Sequence, residues 1–322
     1  MLIDLFTRMH EQALQRQDYA LASAMVRSRL CLEDAPHLLF EAAKLYALLG
    51  YKELAAVFAD RFTDRLFAEP EDSELRHTLE QIVVRDLPWF QRQAQEGPEV
   101  EPNAGDYNTR FRLQSLAASI RANFPEATPS VLDVGGGRGD LALYLDDCPY
   151  LLAEPGVNGL SGLELPFADG SFDCVVSSHV YEHIPADQRP LFLDELARVA
   201  KSSVIMLNPF WIEQNEVVES SLRLIYDYSS AGWAKEHLEC GMPKVAEVTE
   251  WAERHGYACR VTPNGNKPLG IAMVFVQLMA RGEKDARLLK DLTSLLTQFA
   301  PEAIDSPAAP NAYLIEIDKR GQ

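Results

Sequence analysis

Apolar and polar positions follow two different periods along the chain. From Met1 to about Gln95, apolar residues recur at three- and four-residue spacing, as at Leu38, Ala42 and Leu45. This spacing places them on one face of an α-helix and predicts a series of amphipathic helices. Beyond Thr109, short apolar runs that fit buried strands alternate with helical segments. Alternating strands and helices predict an α/β domain whose sheet is mostly parallel and covered on both faces.

Two stretches of the helical part resemble each other. The segment that begins at Gln17 and ends near Pro36 is echoed by one that begins at Gly50 and ends near Pro70. Their separation of about 34 residues is the period of tetratricopeptide repeats, which this region weakly resembles. Such repeats would imply a possible protein partner for the helical domain. A plain helical bundle is an equally good interpretation.

A stretch rich in proline, glycine and acidic residues separates the two parts. Residues 96–106 contain two prolines, two glycines and four acids with no basic residue, which is typical of an exposed linker. We therefore expect a helical domain over residues 1–95 and an α/β domain over residues 107–322. Two helical patterns between the last two predicted strands indicate a helical insertion at about residues 267–305.

Composition and charge narrow the class of protein. The chain has 322 residues, of which 47% are hydrophobic and 24% charged, as in folded soluble proteins. Its net charge of −18 would repel a phosphate backbone, so nucleic acid is not expected as a partner. No apolar run reaches the roughly 20 residues of a transmembrane segment, and the N-terminus lacks signal-peptide features. We expect a cytoplasmic protein. Five scattered cysteines without a Cys-x-x-Cys pair indicate neither disulfides nor a metal site.

A glycine-rich loop follows the first predicted strand. Residues 130–135 predict a short buried strand that runs into Gly-Gly-Gly-Arg-Gly over residues 135–139, and a helical segment begins at Asp140. Glycines permit a tight turn and the close approach of a ligand, and a helix N-terminus offers free N–H groups. The dinucleotide fingerprint requires its third glycine where Asp140 stands, so a nicotinamide cofactor fits poorly.

Three motifs follow one another in a fixed order. The first is the Asp-x-Gly-x-Gly-x-Gly sequence at Asp133, Gly135, Gly137 and Gly139. The second is the acid Glu154 at the end of the next strand. The third is a Leu-Pro-Phe segment with a strand over residues 165–178, followed by Glu182-His183. In this order they resemble the class I S-adenosylmethionine-dependent methyltransferases of the type 11 kind. The resemblance covers roughly residues 107–318. It implies a Rossmann-like, doubly wound sheet of seven strands that binds S-adenosyl-L-methionine and releases S-adenosyl-L-homocysteine.

The resemblance also implies which residues hold the cofactor. Glu154 would accept both hydroxyl hydrogens of the ribose. The acid that often binds the adenine is replaced by Ser161 or Gly162, so adenine recognition would use backbone groups of Gly162 and Leu163. Only eleven residues separate Glu154 from Pro166, which requires a shortened crossover. The predicted cofactor residues are Arg110, Asp133, Gly135, Gly137, Gly139, Glu154, Gly162, Leu163, Ser178 and His179.

Two histidines are the candidate catalytic residues. Methyl transfer from a sulfonium needs alignment of the acceptor and, for a hydroxyl, removal of its proton, for which histidine is a natural base. His183 follows a predicted strand, and His237 lies in a polar motif between two later elements. Purely structural roles for both are about equally good interpretations. Trp211, Tyr226 and Glu239 are the predicted acceptor-binding residues, since aromatic walls and polar groups suit a sugar or another polyhydroxylated ring.

These observations predict an S-adenosylmethionine-dependent enzyme that O-methylates a small-molecule or glycan-like hydroxyl acceptor. One alternative is a protein methyltransferase that docks its substrate through the helical domain. Another is a non-catalytic S-adenosylmethionine-binding module, against which the retained Asp133, Gly137 and Glu154 argue. The first two hypotheses stay open at this point, because two weak repeats do not establish peptide recognition.

Overall fold

The computed structural model of the protein describes residues 1–100, 102, 106–145, 148–211, 215–282, 286–296 and 306–320. The chain folds into two compact units. The first comprises Met1–Pro102 and Glu126–Gly159, and the second comprises Asn103–Pro125 and Leu160–Gln322.

The N-terminal part of the first unit is helical, which confirms the prediction from the three- and four-residue spacing. The apolar faces share one core, in which the rings of Phe40 and Phe62 lie 5.0 Å apart. Asp18 caps the second helix by accepting a hydrogen bond from the Leu21 N–H. The tetratricopeptide-like interpretation stays a prediction. The helices are α1 Leu2–Gln15, α2 Tyr19–Leu32, α3 His37–Leu49, α4 Lys52–Ala68 and α5 Glu74–Glu96.

Two parallel strands complete the first unit. β1 Val131–Val134 pairs with β2 Tyr150–Ala153, and both are fully buried. The glycine loop after β1 leads into a single 3₁₀ segment, Asp140–Tyr144, where the sequence predicted a helix. A short helix, α7 Pro155–Asn158, follows β2.

Helix α2 packs against β2 and the 3₁₀ segment within the same unit. The side chain of Arg27 on α2 is only 2% exposed. Its guanidinium donates hydrogen bonds to the carbonyl oxygens of Ala142, Leu145 and Cys148 at 3.0, 2.8 and 2.6 Å. Because these carbonyls belong to the crossover between β1 and β2, the helices and the first two strands share a core. The chain passes from the first unit to the second within the acidic linker, after Pro102, but Glu126–Gly159 belongs to the same unit as the helices. The domains expected over residues 1–95 and 107–322 stay a prediction.

The second unit contains four strands. β3 Phe172–Ser178 and β4 Ala200–Asn208 are parallel, whereas β6 Ala312–Asp318 runs antiparallel to both β4 and β5 Ala258–Asn264. The closing antiparallel strand agrees with the resemblance described above. On β6, Glu316 lies opposite Arg260 of β5 and accepts from its guanidinium at 2.7 Å.

Helices surround these strands in the second unit. They are α6 Tyr107–Asn123, α8 Arg189–Val199, α9 Asn215–Ser229, α10 Gly232–Cys240, α11 Val245–Arg254, α12 Lys267–Gly282 and α13 Ala286–Leu296. The apolar helix α12 is covered on two sides, since Met273 contacts Tyr107 and Phe275 packs against the buried Leu222. The predicted helical insertion thus holds α12 and α13, and its remaining residues, 283–285 and 297–305, lie outside the described ranges. None of the described helices is long and apolar enough to cross a membrane.

The strands of the described residues form one mixed sheet in the order β2–β1–β3–β4–β6–β5. The doubly wound fold is confirmed, but the sheet has six strands in the described part of the chain, where the resemblance implied seven. The eleven residues between Glu154 and Pro166 form only α7 and an isolated bridge from Ser161 to Glu164. Too little chain is present there for a further helix and strand. β2 is consequently an edge strand, and its Leu152 N–H donates to the Ser28 hydroxyl at 3.1 Å.

Candidate active site

The loop after β1 has the backbone that its glycines permit. Gly135, Gly137 and Gly139 have φ values of 76°, 59° and 80°, a region in which a residue with a Cβ is strained. A Cβ on Gly137 would meet nothing within 4 Å, whereas one on Gly139 would lie 2.5 Å from the Ala24 Cβ. Gly137 thus offers open space to a ligand, and Gly139 is required by the packing of α2.

Asp133 lies beneath this loop and is 2% exposed. The Tyr150 hydroxyl donates to its Oδ2 at 2.8 Å, and burial together with this carboxylate raises the pKa of Tyr150 well above its usual value. A Cβ on Gly136 would lie 2.1 Å from the same Oδ2. The Asp133 carboxylate therefore restricts the shape of the loop, and its part in cofactor binding stays a prediction.

Glu154 follows β2, and its carboxylate contacts the glycine loop. Its Oε2 accepts a hydrogen bond from the Gly137 N–H at 3.0 Å, and its Oε1 accepts from the Gly156 N–H at 3.1 Å. Each carboxylate oxygen has two lone pairs, so both can also accept from the hydroxyls of a ribose. The Glu154 carboxylate is partly exposed and lies beside the open space at Gly137, where the hydroxyls of a ribose could reach it.

The other predicted cofactor residues belong to the second unit. Gly162 is buried, and the N–H of Leu163 already donates to the Ser161 hydroxyl at 3.2 Å. Ser178 ends β3, and within the described ranges its buried hydroxyl has no hydrogen-bond partner. Arg110 lies on α6 and is partly buried. Their contacts with the cofactor stay predictions.

Three polar side chains converge after β3. The chain turns at His179, whose φ of 55° is uncommon for a residue other than glycine. A 3₁₀ turn then positions Glu182 and His183, and α10 supplies His237. The Nε2 atom of His237 lies 3.1 Å from Nε2 of His183 and 3.7 Å from Oε1 of Glu182. The structure thus brings together the two histidines that the sequence singled out, and we call Glu182, His183 and His237 the histidine–glutamate cluster.

Outer partners hold this cluster in place. The Asn208 amide donates to Oε2 of Glu182 at 2.7 Å, and Nδ1 of His183 lies 2.7 Å from Oε2 of Glu236. An ionised carboxylate only accepts hydrogen bonds, so Nδ1 of His183 carries the proton in this pair. In a neutral ring, Nε2 of His183 then presents a lone pair toward His237.

Burial controls the charge of these groups. It raises the pKa of Glu182, whose side chain is fully buried. Burial, followed by the nearby His183, lowers the pKa of His237 to about 3. Burial, followed by the charge of Arg112, also lowers the pKa of His179 well below its usual value. His179 and His237 are therefore neutral near pH 7, with nitrogen lone pairs available.

The sequence of the chain is similar to those of known methyltransferases. Residues 153–207 match the methyltransferase domain family. The chain is similar to an uncharacterized methyltransferase of Mycobacterium sp. (strain KMS), with 32% identity over 123 residues that make up 30% of this chain and 48% of that protein. It is also similar to a probable chloroplastic tocopherol O-methyltransferase of Oryza sativa subsp. japonica, with 34% identity over 140 residues, 35% of this chain and 38% of that protein. The chain thus spans less than half the length of these curated relatives.

Solved structures give a more distant likeness. A putative sarcosine dimethylglycine methyltransferase from Galdieria sulphuraria is 16% identical, with 73% of this chain and 98% of that one covered and a TM-score of 0.41.

The match to the domain family begins at the end of β2 and runs through the Leu-Pro-Phe segment to Leu207 of β4. It contains Glu154 and the whole strand that leads to the histidine–glutamate cluster. The segment from Ala153 to Leu207 is thus similar to methyltransferase domains.

The structure does not bring all of the predicted acceptor residues to the histidine–glutamate cluster. Trp211 is 44% exposed, and its backbone N–H donates a hydrogen bond to the Pro243 carbonyl at 2.7 Å. Tyr226 is partly buried and packs in the apolar cluster of α9 and α10. Glu239 is largely exposed and forms an ion pair with Lys235 at 3.2 Å, so it does not join the histidines.

Sequence reasoning missed two partners of the cluster, Glu236 and Asn208. Glu236 and Glu239 lie on the same helix, and only the rotation of α10 about its axis decides which of them reaches His183. Trp233 is another neighbour of the cluster, because its ring centroid lies 5.5 Å from that of His237.

Proposed function

We propose that the chain transfers the methyl group of S-adenosyl-L-methionine to a hydroxyl oxygen of a small-molecule or glycan-like acceptor. The observation that carries the proposal is the histidine–glutamate cluster after β3, because ligands of doubly wound sheets bind beyond the carboxyl ends of the strands. The sulfonium methyl group is already activated. A hydroxyl, in contrast, becomes a good nucleophile only when its proton is removed or its O–H bond is polarised. Glu182, His183 and His237 are the groups that would activate it.

Aromatic side chains near the cluster support a ring-shaped acceptor. Trp233 is 39% exposed and its ring lies edge-on to that of His237. Such partly exposed aromatic rings form walls against which a sugar or phenol can pack. The net charge of −18 favours a neutral or cationic acceptor over a polyanion. The name of the rice relative also refers to O-methylation, which is in keeping with a hydroxyl acceptor.

An acceptor screen tests the proposal. The full chain and S-adenosyl-L-methionine are incubated with matched hydroxyl and amine compounds, and formation of S-adenosyl-L-homocysteine is measured. We expect turnover with a hydroxyl acceptor, and His183→Ala or His237→Ala should lower kcat by about 10²- to 10⁴-fold, the usual contribution of proton-transfer groups. His255→Ala, a histidine outside the cluster, is the matched control. Turnover of amines alone, or cluster variants as active as the control, would argue against a hydroxyl acceptor.

A further inference from the structure

The histidine–glutamate cluster has the composition of a metal-binding site. One ligand atom from each of Glu182, His183 and His237 lies within 4.8 Å of the other two. Two imidazoles and one carboxylate are a ligand set that Zn²⁺ and other divalent first-row transition metals accept. The scattered cysteines gave no reason to expect such a site, because these ligands are histidines and a glutamate from distant parts of the chain.

A buried oxygen without a donor points into this cluster. Glu182 is 0% exposed, and its Oε1 accepts no hydrogen bond within the described ranges, although its other oxygen accepts from Asn208. The nitrogens nearest to Oε1 are Nδ1 of His179 at 3.4 Å and Nε2 of His237 at 3.7 Å, and neither forms a hydrogen bond with it. An unsatisfied buried carboxylate oxygen costs free energy, so it indicates a missing partner. A hydrogen bond between the rings of His183 and His237 would satisfy their nitrogens alone and would leave this oxygen without a hydrogen bond. A cation between the three atoms satisfies all of them.

The distances fit a cation with only small side-chain movement. Ligand atoms at about 2.0–2.2 Å from a tetrahedral ion lie about 3.3–3.6 Å from one another. The observed separations are 3.1 Å between the two Nε2 atoms and 3.7 Å between Nε2 of His237 and Oε1 of Glu182. These values bracket the expected distance.

The outer contacts are those that orient metal ligands. Histidine ligands commonly donate their second N–H to a carboxylate, which fixes the ring and leaves the other nitrogen free to coordinate. His183 does so through Nδ1 to Glu236 at 2.7 Å, with Nε2 turned toward the cluster. The Asn208 amide likewise fixes the orientation of the Glu182 carboxylate.

We propose that Glu182, His183 and His237 bind one divalent transition-metal cation, with Zn²⁺ as the best fit, through Oε1 and the two Nε2 atoms. This inference rests on the proposed function and specifies how the cluster activates the acceptor. A three-ligand site leaves a position at which the acceptor oxygen can bind, and the cation lowers the pKa of that hydroxyl. The hydroxyl proton then leaves to water, and the oxygen–carbon bond forms as the sulfur–carbon bond of the cofactor breaks.

Metal titration of the full chain tests the site without any activity assay. The protein is treated with EDTA, dialysed and titrated with Zn²⁺, and separately with Co²⁺, whose visible absorption reports its ligands. We expect one ion per chain by elemental analysis. His237→Ala and Glu182→Gln should abolish binding at equimolar metal, while Glu236→Gln should weaken it by about 10- to 100-fold, as loss of an outer partner does.

Matched controls keep the test decisive. His255→Ala and Glu253→Gln change the same residue types outside the cluster and should bind metal like the parent. If Glu182→Gln fails to fold, the partly exposed His183→Ala provides the same comparison. No ion retained at equimolar Zn²⁺ or Co²⁺, or equal binding in cluster and control variants, would overturn the site.

A parallel titration of the metal-free protein with S-adenosyl-L-homocysteine separates this proposal from the previous one. Failure to bind metal, with binding of this nucleoside product intact, removes the cation site and leaves the methyltransferase. Loss of nucleoside binding with metal binding intact removes the proposed function and leaves the cation site.

Discussion

Replacement of Arg27 by alanine tests whether the N-terminal helices belong to the same folding unit as the first two strands. In the structure the Arg27 guanidinium donates to three carbonyl oxygens of the β1–β2 crossover and to the Tyr46 hydroxyl at 3.3 Å. It also lies 5.0 Å from the centre of the Phe58 ring. Because Arg27 is 2% exposed, water cannot easily replace these contacts. Arg27→Ala should therefore destabilise the helices and the strands together.

The expected size of this effect follows from the contacts. Each buried carbonyl that loses its donor costs about 1–3 kcal/mol, and partial relaxation brings the sum to about 3–5 kcal/mol. For a folding unit of about 150–250 residues, a melting temperature falls by about 2–4 °C per kcal/mol, so we expect a decrease of roughly 6–20 °C for the first unit. Differential scanning calorimetry measures it. Arg65→Ala is the control, because Arg65 is 41% exposed and pairs with an exposed acid, which contributes at most about 1 kcal/mol.

Two outcomes would refute this reasoning. One is a melting temperature for Arg27→Ala that equals that of Arg65→Ala. The other is a chain of residues 105–322 that stays soluble and binds S-adenosyl-L-homocysteine, because it lacks the helix that covers β2. Either result would restore the modular arrangement with a boundary at the acidic linker.

Three further predictions concern the loop and the sheet. Glu154→Ala should weaken binding of S-adenosyl-L-homocysteine in calorimetric titration while the ligand-free chain stays folded, with a stability loss of about 0.5–2 kcal/mol from the lost cap of α7. Equal affinity would remove Glu154 from the site. Gly136→Ala should lower the same affinity, because its Cβ would lie 2.1 Å from the Asp133 carboxylate, whereas Gly232→Ala meets no atom within 4 Å and should behave like the parent. Although burial raises the pKa of Glu316 on β6, the hydrogen bonds that its carboxylate accepts from Arg260, Ser119 and Asn123 hold that pKa below the usual value. The stability from Glu316 is thus present above the unfolded pKa of about 4.3 and lost as pH falls further, so Glu316→Gln should flatten urea-denaturation stability below about pH 5.

The geometry of the glycine loop and of Glu154 could be predicted because its signals are local in the sequence. A strand, a glycine loop and an acid after the next strand are short motifs whose spacing encodes their geometry, and Gly137 and Glu154 lie in contact as that spacing implies. The two histidines could be selected for a similar reason, since one follows a strand end and the other lies in a polar motif.

Features that depend on contacts between distant residues could not be predicted. The packing of α2 on β2 rests on Arg27 and Ser28, which in the sequence are ordinary residues of an amphipathic helix. The same packing explains why a single 3₁₀ segment suffices between β1 and β2, since α2 covers that part of the sheet. It also leaves the docking of a protein substrate on this face of α2 without support. The choice of Glu236 over Glu239 likewise depends on helix rotation, which apolar spacing does not determine for a short helix.

Calorimetric titration of the full chain with S-adenosyl-L-homocysteine tests the central claim most directly. A methyltransferase domain with the described glycine loop should bind one molecule per chain. Binding should also raise the melting temperature, because a ligand at a hundred times its dissociation constant stabilises the fold by about 2.7 kcal/mol. No heat of binding together with an unchanged melting temperature at millimolar S-adenosyl-L-methionine and S-adenosyl-L-homocysteine would contradict the account.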